Sequence, residues 1–111
     1  MFIEWSNEAI REAEARFGTG AKQWKLVFDT EGCGCAVNGV PTFWIVASPD
    51  TQDKRAETNF GEAWIKPQHE LYFDDRLRVS FVPEHRSFKL ASDGQIYTNR
   101  LKLENRAITA N

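Results

Sequence analysis

The spacing of apolar residues changes character early in the chain. Ala9, Ile10, Ala13 and Phe17 recur every three or four positions, which places them on one face of a helix. Ser6 stands where an N-cap must accept from the first unpaired backbone N–H groups, and Gly18 follows the last apolar residue as a stop. The spacing therefore predicts a helix over 7–17, with Glu8, Glu12 and Glu14 left in water and Trp5 and Ile10 forming a hydrophobic staple at its start.

From Gln23 the period falls to two. Trp24, Leu26 and Phe28 alternate with Lys25, Val27 and Asp29, as a strand with one face in a core requires. After the turn signal Asn38-Gly39 and Pro41, residues 42–47 read as a buried strand, and the polar, Pro-containing stretch 48–54 reads as a loop. Residues 62–66 form a short apolar segment stopped by Pro67. Residues 71–73 follow, and Asp74 and Asp75 turn the chain. Leu77, Val79 and Phe81 alternate with Arg78 and Ser80; Phe88 and Leu90 follow; Asp93-Gly94 predicts a hairpin leading to a last strand through Ile96. The expectation is a single domain over 1–111 of the α+β class and rich in β. An N-terminal helix precedes six or more strands in a mostly antiparallel sandwich or partly closed pseudobarrel.

Composition supports one core. The 111 residues are 41% hydrophobic and include eight Phe, four Trp and two Tyr, enough to fill a single domain of this length. Trp24, Trp44 and Trp64 fall on strand-like segments and are expected in that core. The net charge of -2 comes from 16 acidic and 14 basic side chains scattered along the chain, which argues against a nucleic-acid partner. The start MFIEWSNEAI lacks a basic, apolar leader, and the longest apolar run, 43–47, is too short to cross a bilayer. A cytoplasmic protein without a membrane partner is expected.

Candidate chemistry gathers in TEGCGC, residues 30–35, which holds both cysteines of the chain, Cys33 and Cys35. In a reducing compartment the two are read as thiols, because a Cys-x-Cys disulfide closes a small, strained ring. In extended backbone their side chains leave one face with Cα atoms roughly 6.5–7 Å apart, so both thiolates could hold one metal. Gly32 and Gly34 let backbone N–H groups approach the sulfurs and stabilise their charge. Two thiolates do not complete the four-ligand set of zinc or an iron–sulfur cluster; a second copy of the chain, His69, His85, an acidic side chain or a small thiol would have to supply the rest. The residues alone equally allow a tight bend of small, buried side chains.

Other candidates carry less. His69 and His85 lie in loop-like surroundings and read as surface histidines, and Asp74 with Asp75 reads as a solvated turn rather than an acid–base pair. Gly32, Gly34 and Gly39 lack the spacing and following helix of a phosphate-binding loop.

The order of helix, strand, GCGC loop, strand and strand-rich C-terminal half resembles the HesB/IscA-type iron–sulfur biogenesis domain across nearly the whole chain. The stretch LVFDTEGCGCAVNGVPTFWIV is similar to a subgroup of short bacterial proteins with GCGC in this loop. The resemblance implies a β-rich pseudobarrel, a homodimer or higher oligomer, and a non-enzymatic carrier that delivers iron or a [2Fe-2S] cluster to apo iron–sulfur client proteins. It puts Cys33 on the family's first ligand and Cys35 where a small residue usually stands. The family's other two ligands, a Cys-Gly-Cys near the carboxyl end, would fall at 99–103, within a stretch reading TNRLKL and holding no cysteine. Cofactor and metal are thus expected at Cys33 and Cys35, across a dimer. Two other classes stay open: a degenerate interaction domain that keeps the fold without metal, and a thiol sensor in which Cys33 and Cys35 oxidise reversibly.

Overall fold

The computed structural model describes residues 1–20, 22–29 and 40–106. The chain begins with strand β1 (Phe2–Trp5) and helix α1 (Asn7–Phe17), then strands β2 (Gln23–Asp29), β3 (Val40–Val46), β4 (Lys54–Thr58) and β5 (Glu62–Ile65). One helical turn, α2 (Pro67–Glu70), precedes β6 (Arg76–Val82), β7 (Ser87–Ala91) and β8 (Ile96–Asn105). The strands close into a barrel in the order β1-β4-β5-β2-β3-β8-β7-β6.

The β-rich fold with one N-terminal helix of useful length agrees with the sequence; the pairing does not. Of the eight neighbouring pairs, β2–β3, β4–β5, β6–β7 and β7–β8 are antiparallel, while β1–β4, β1–β6, β2–β5 and β3–β8 are parallel. Local turns reveal only the antiparallel pairs. The parallel ones join strands distant in sequence, so that in place of the expected mostly antiparallel sandwich or partly closed pseudobarrel the strands form a closed, mixed barrel.

β1 is the closing stave. Phe2 and Ile3 pair with Glu57 and Thr58 of β4, and residues 2–5 pair with residues 76–79 of β6. Where the β4 ladder ends, the Asn59 side chain continues it: its Oδ1 accepts from Trp5 N–H at 2.8 Å and its Nδ2 donates to Trp5 C=O at 3.0 Å. Trp5, assigned to a helix staple from sequence, sits inside the barrel, with its ring 4.8 Å from Trp24, 5.4 Å from Phe43 and 5.1 Å from Phe60. Ile3, Leu26, Ile45, Ile65, Leu77 and Leu90 complete the lumen.

α1 packs across the end where β1 stops. Ser6 Oγ accepts from Ala9 N–H at 3.1 Å, and Gly18, at φ 92°, donates its N–H to Glu14 C=O. Ala9 and Ala13 are fully buried beneath the helix, small enough to let it lie close on β6. Residues 66–75 cross the opposite rim, where Phe73 is buried with its ring 5.2 Å from Tyr97. Gly61 makes the turn from β4 to β5: at φ 70°, an added Cβ would lie 2.4 Å from Lys22 O, the acceptor of the Glu62 N–H.

Candidate functional site

β2 and β3 form the longest unbroken antiparallel pair, from Gln23↔Val46 to Asp29↔Val40. The connection bearing the thiols, 30–39, leaves and re-enters the barrel at adjacent register partners on one rim. Cys33 and Cys35, with Gly32, Gly34 and Gly39, lie outside the described residues.

The strands beside that rim are described. β8 runs parallel to β3 with Thr42 opposite Lys102, so Arg100 stands two residues back, level with Val40. The positions where the resemblance places a second pair of ligands, 99–103, therefore lie on the strand next to the start of β3. They carry an amide, two exposed cations and two leucines, and no thiolate. The segment after α2 reaches the same rim: Asp74 N–H donates to Tyr97 Oη at 2.8 Å. Leu71 and Tyr72 are 88% and 61% exposed there, and Ile96, at the first position of β8, is 55% exposed.

The remaining sequence candidates are spread apart. His69 is in α2, while His85 is exposed in the turn between β6 and β7 near the opposite rim. Burial, then the positive charges of Lys66 and Lys25, holds the His69 imidazole below its ordinary value, which favours the neutral ring. Asp74 accepts from Ser92 Oγ, and Asp75 C=O accepts from Phe2 N–H at 2.7 Å. These are turn contacts that link the β6 start to the β7–β8 hairpin and to β1. Among the described residues no group of three or more His, Cys, Asp or Glu is arranged to hold a metal ion.

The sequence reading missed a polar anchor outside the barrel. Lys25 points away from the lumen yet is only 5% exposed, under the 47–53 connection. Its Nζ lies 2.8 Å from Asp50 Oδ2 and 3.0 Å from Asp53 Oδ2, and the Asp53 side chain is 2% exposed. Burial alone would lower the Lys25 pKa, but the two carboxylates outweigh it and hold the ammonium above its ordinary value; the Lys25 hydrogen bond in turn pulls Asp50 below the usual carboxylate value. Trp44 and Trp64, expected in the core, share this outward parity, since Phe43, Ile45, Ala63 and Ile65 take the inward positions. The Arg106 guanidinium lies 4.0 Å from the Trp44 ring centroid, and Trp64 Nε1 donates to Gln23 Oε1 at 3.2 Å. An outward face carrying Trp, Val and Trp beside a lysine was the available signal that a covering layer exists.

Comparison with known proteins adds a lineage to this geometry. Residues 1–105 match the family described as iron-sulphur cluster biosynthesis. The Bacillus subtilis (strain 168) protein YqkB, itself uncharacterized, is 32% identical over 82 residues, spanning 74% of this chain and 77% of its own. The fold superposes with TM-score 0.79 on a Lactobacillus salivarius protein assigned to Fe-S biosynthesis, at 15% identity, covering 97% of this chain and all of the other. Escherichia coli SufA, involved in biosynthesis of iron-sulfur clusters, superposes with TM-score 0.53 at 26% identity over 79% of this chain and 77% of its own. Among the described residues, no helix is long and apolar enough to cross a membrane.

Proposed function

This chain belongs to the iron-sulphur cluster biosynthesis family, and from that premise we propose that it carries iron or a [2Fe-2S] cluster as cargo for apo iron–sulfur proteins, without catalysing a reaction. The observation that carries this reading is the pairing of that family match over 1–105 with two cysteines, one residue apart, in a connection between the register partners Asp29 and Val40. A [2Fe-2S] cluster takes four thiolates. One chain supplies Cys33 and Cys35, and residues 99–103 supply none, so a second copy completes the set. The exposed Leu71, Tyr72 and Ile96 on the same rim give that copy an apolar surface to cover.

The chemistry is ligand exchange. Each incoming thiolate of a recipient takes the place of Cys33 or Cys35 at iron, so every iron keeps its ligand number and no net oxidation occurs. A protein of this kind belongs in the reducing cytoplasm, where its thiols stay available.

Anaerobic incubation with ferrous iron and sulfide tests the reading. The wild-type protein is expected to take up about one iron and one sulfide per chain with visible absorption of thiolate-to-iron charge transfer, and Cys33→Ser or Cys35→Ser to lose it. Absence of uptake by the wild-type chain would instead favour the second reading, an interaction domain of the same fold, for which the thiol-free stretch 98–103 is the supporting observation.

A further inference from the structure

Two adjoining surface cavities, of about 430 and 410 Å³, follow the outer side of the β7–β8 hairpin and share His85, Ser87 and Arg100 in their walls. Together they gather Arg16, His85, Arg86, Lys89, Arg100 and Lys102, and no carboxylate lines either one. The chain as a whole has a net charge of -2. Cations that look scattered along the sequence are thus assembled by the strand register into one basic groove.

What sets the groove apart is that its cations are clustered with no carboxylate in the walls, whereas several cations elsewhere are met by one. Lys54, Arg55, Arg78 and Arg106 each pair with a carboxylate. Among the described residues, Lys89, Arg100 and Lys102 make no ion pair, and only Arg16 in the groove has one, with Glu12 at 2.9 Å. Arg100 and Lys102 are two residues apart on one strand, so they leave the same face roughly 6.5–7 Å from each other. Among the described residues no carboxylate is paired with either of them. The turn that carries His85 and Arg86 is held open by Arg86 at φ 51° and fixed by Arg16 Nη2 donating to Arg86 C=O at 3.2 Å, which keeps the basic end of the groove in place.

We propose that this groove binds a carboxylate-rich segment of a partner protein. A short acidic segment fits its dimensions: the basic part covers about four residues of strand, roughly 13 Å. A nucleic acid fits poorly, because its phosphates continue at regular spacing past the groove, onto Glu84 in the turn and Glu104 on β8. A free small anion would find no enclosing cage, since Arg86, Arg100 and Lys102 are solvent-exposed. The groove also has a location. Its Arg100 stands level with Val40, the first described residue after the thiol-bearing stretch of sequence, so a segment seated there brings its parent protein beside the start of β3. That purpose, presenting the recipient of the cargo, rests on the carrier reading above; the binding itself does not.

The test is fluorescence anisotropy with a labelled ten-residue peptide of alternating Asp and Glu, added to the full chain. Expected are saturable binding and a loss of about tenfold between 0.1 and 0.5 M salt. Joint Lys89→Glu, Arg100→Glu and Lys102→Glu substitution should weaken binding by about 30-fold or more, while Lys54→Glu with Arg55→Glu leaves it within about twofold. Circular dichroism of the triple variant confirms that the barrel is intact, and single Lys102→Gln, with an expected loss of about threefold, provides a milder check. The joint Cys33→Ser, Cys35→Ser variant should bind the peptide as the wild type does, which separates failure of the groove from failure of the carrier reading. Peptide binding that is absent, or equal in the triple variant, overturns the proposal. So does tighter binding of a twelve-nucleotide single strand, or full displacement of the peptide by equimolar inorganic phosphate.

Discussion

Lys25 shows how one side chain can fix a connection to a barrel. Its ammonium lies in the outward face of β2 beneath the 47–53 segment, bound to an Asp53 carboxylate as buried as itself. Removing the cation while leaving that carboxylate strands a buried charge, so Lys25→Met is expected to destabilise the fold by about 3 kcal/mol, read as a lower urea midpoint. The pH dependence follows from three directions. Asp50 is held below its ordinary 3.8, so its contribution is present above that value and fades as acid passes the depressed folded value. His69 is held below 6.5, so the unfolded chain takes up its proton first and stability declines as pH falls below about 6.5. Lys25 is held above 10.5, so its contribution is complete below that value and is lost only as pH rises through the raised one. The urea midpoint should therefore be flat from about pH 7 to 10 and fall on both sides, and Lys25→Met should remove the alkaline fall.

At the scale of elements, closure depends on β1, a four-residue strand whose ladder to β4 is extended by a side chain. Asn59→Ala removes both partners of the Trp5 backbone on that side, and a loss of about 2 kcal/mol is expected, against a change within about 0.5 kcal/mol for a surface change such as Glu57→Gln. Guanidinium or urea melts of the two variants check it. Such elements were hard to see in the sequence. α1 was legible because Ser6, Ala9, Ala13 and Gly18 encode its start, face and end locally, and the Asp93-Gly94 turn and the alternation in β2 and β6 were legible for the same reason. β1 is too short to show a period between Met1 and the helix cap. β4, KRAET, has one buried residue, Ala56, and reads as a continuation of the loop. Pro67, read as a stop, starts the turn of α2, because its missing N–H costs nothing at a first helical position. β8 continues from Ile96 to Asn105, where its polar outward residues hide the strand. Trp44 and Trp64 were misplaced because strand parity decides their face, and only the register fixes parity.

For the molecule as a whole, the barrel relates three things that the sequence keeps apart: the ends of β2 and β3 share a rim with the exposed apolar residues, and the basic groove runs from Arg100, level with Val40, toward the opposite rim. The thiol motif itself was plain in the sequence. The neighbourhood of the strands that flank it was not, since the parallel β3–β8 pairing that sets residues 99–103 beside the start of β3 joins strands more than fifty residues apart. The proposed carrier role turns on a count of sulfurs: two in each chain and four for a [2Fe-2S] cluster, which under that proposal calls for two chains per cluster. Native mass spectrometry after anaerobic loading with iron and sulfide measures this directly. The account predicts a species of two chains with two irons and two sulfides, absent when Cys33 is replaced by serine. A cluster retained on a single chain, or a dimer that takes up neither iron nor sulfide when both are in excess, would contradict it.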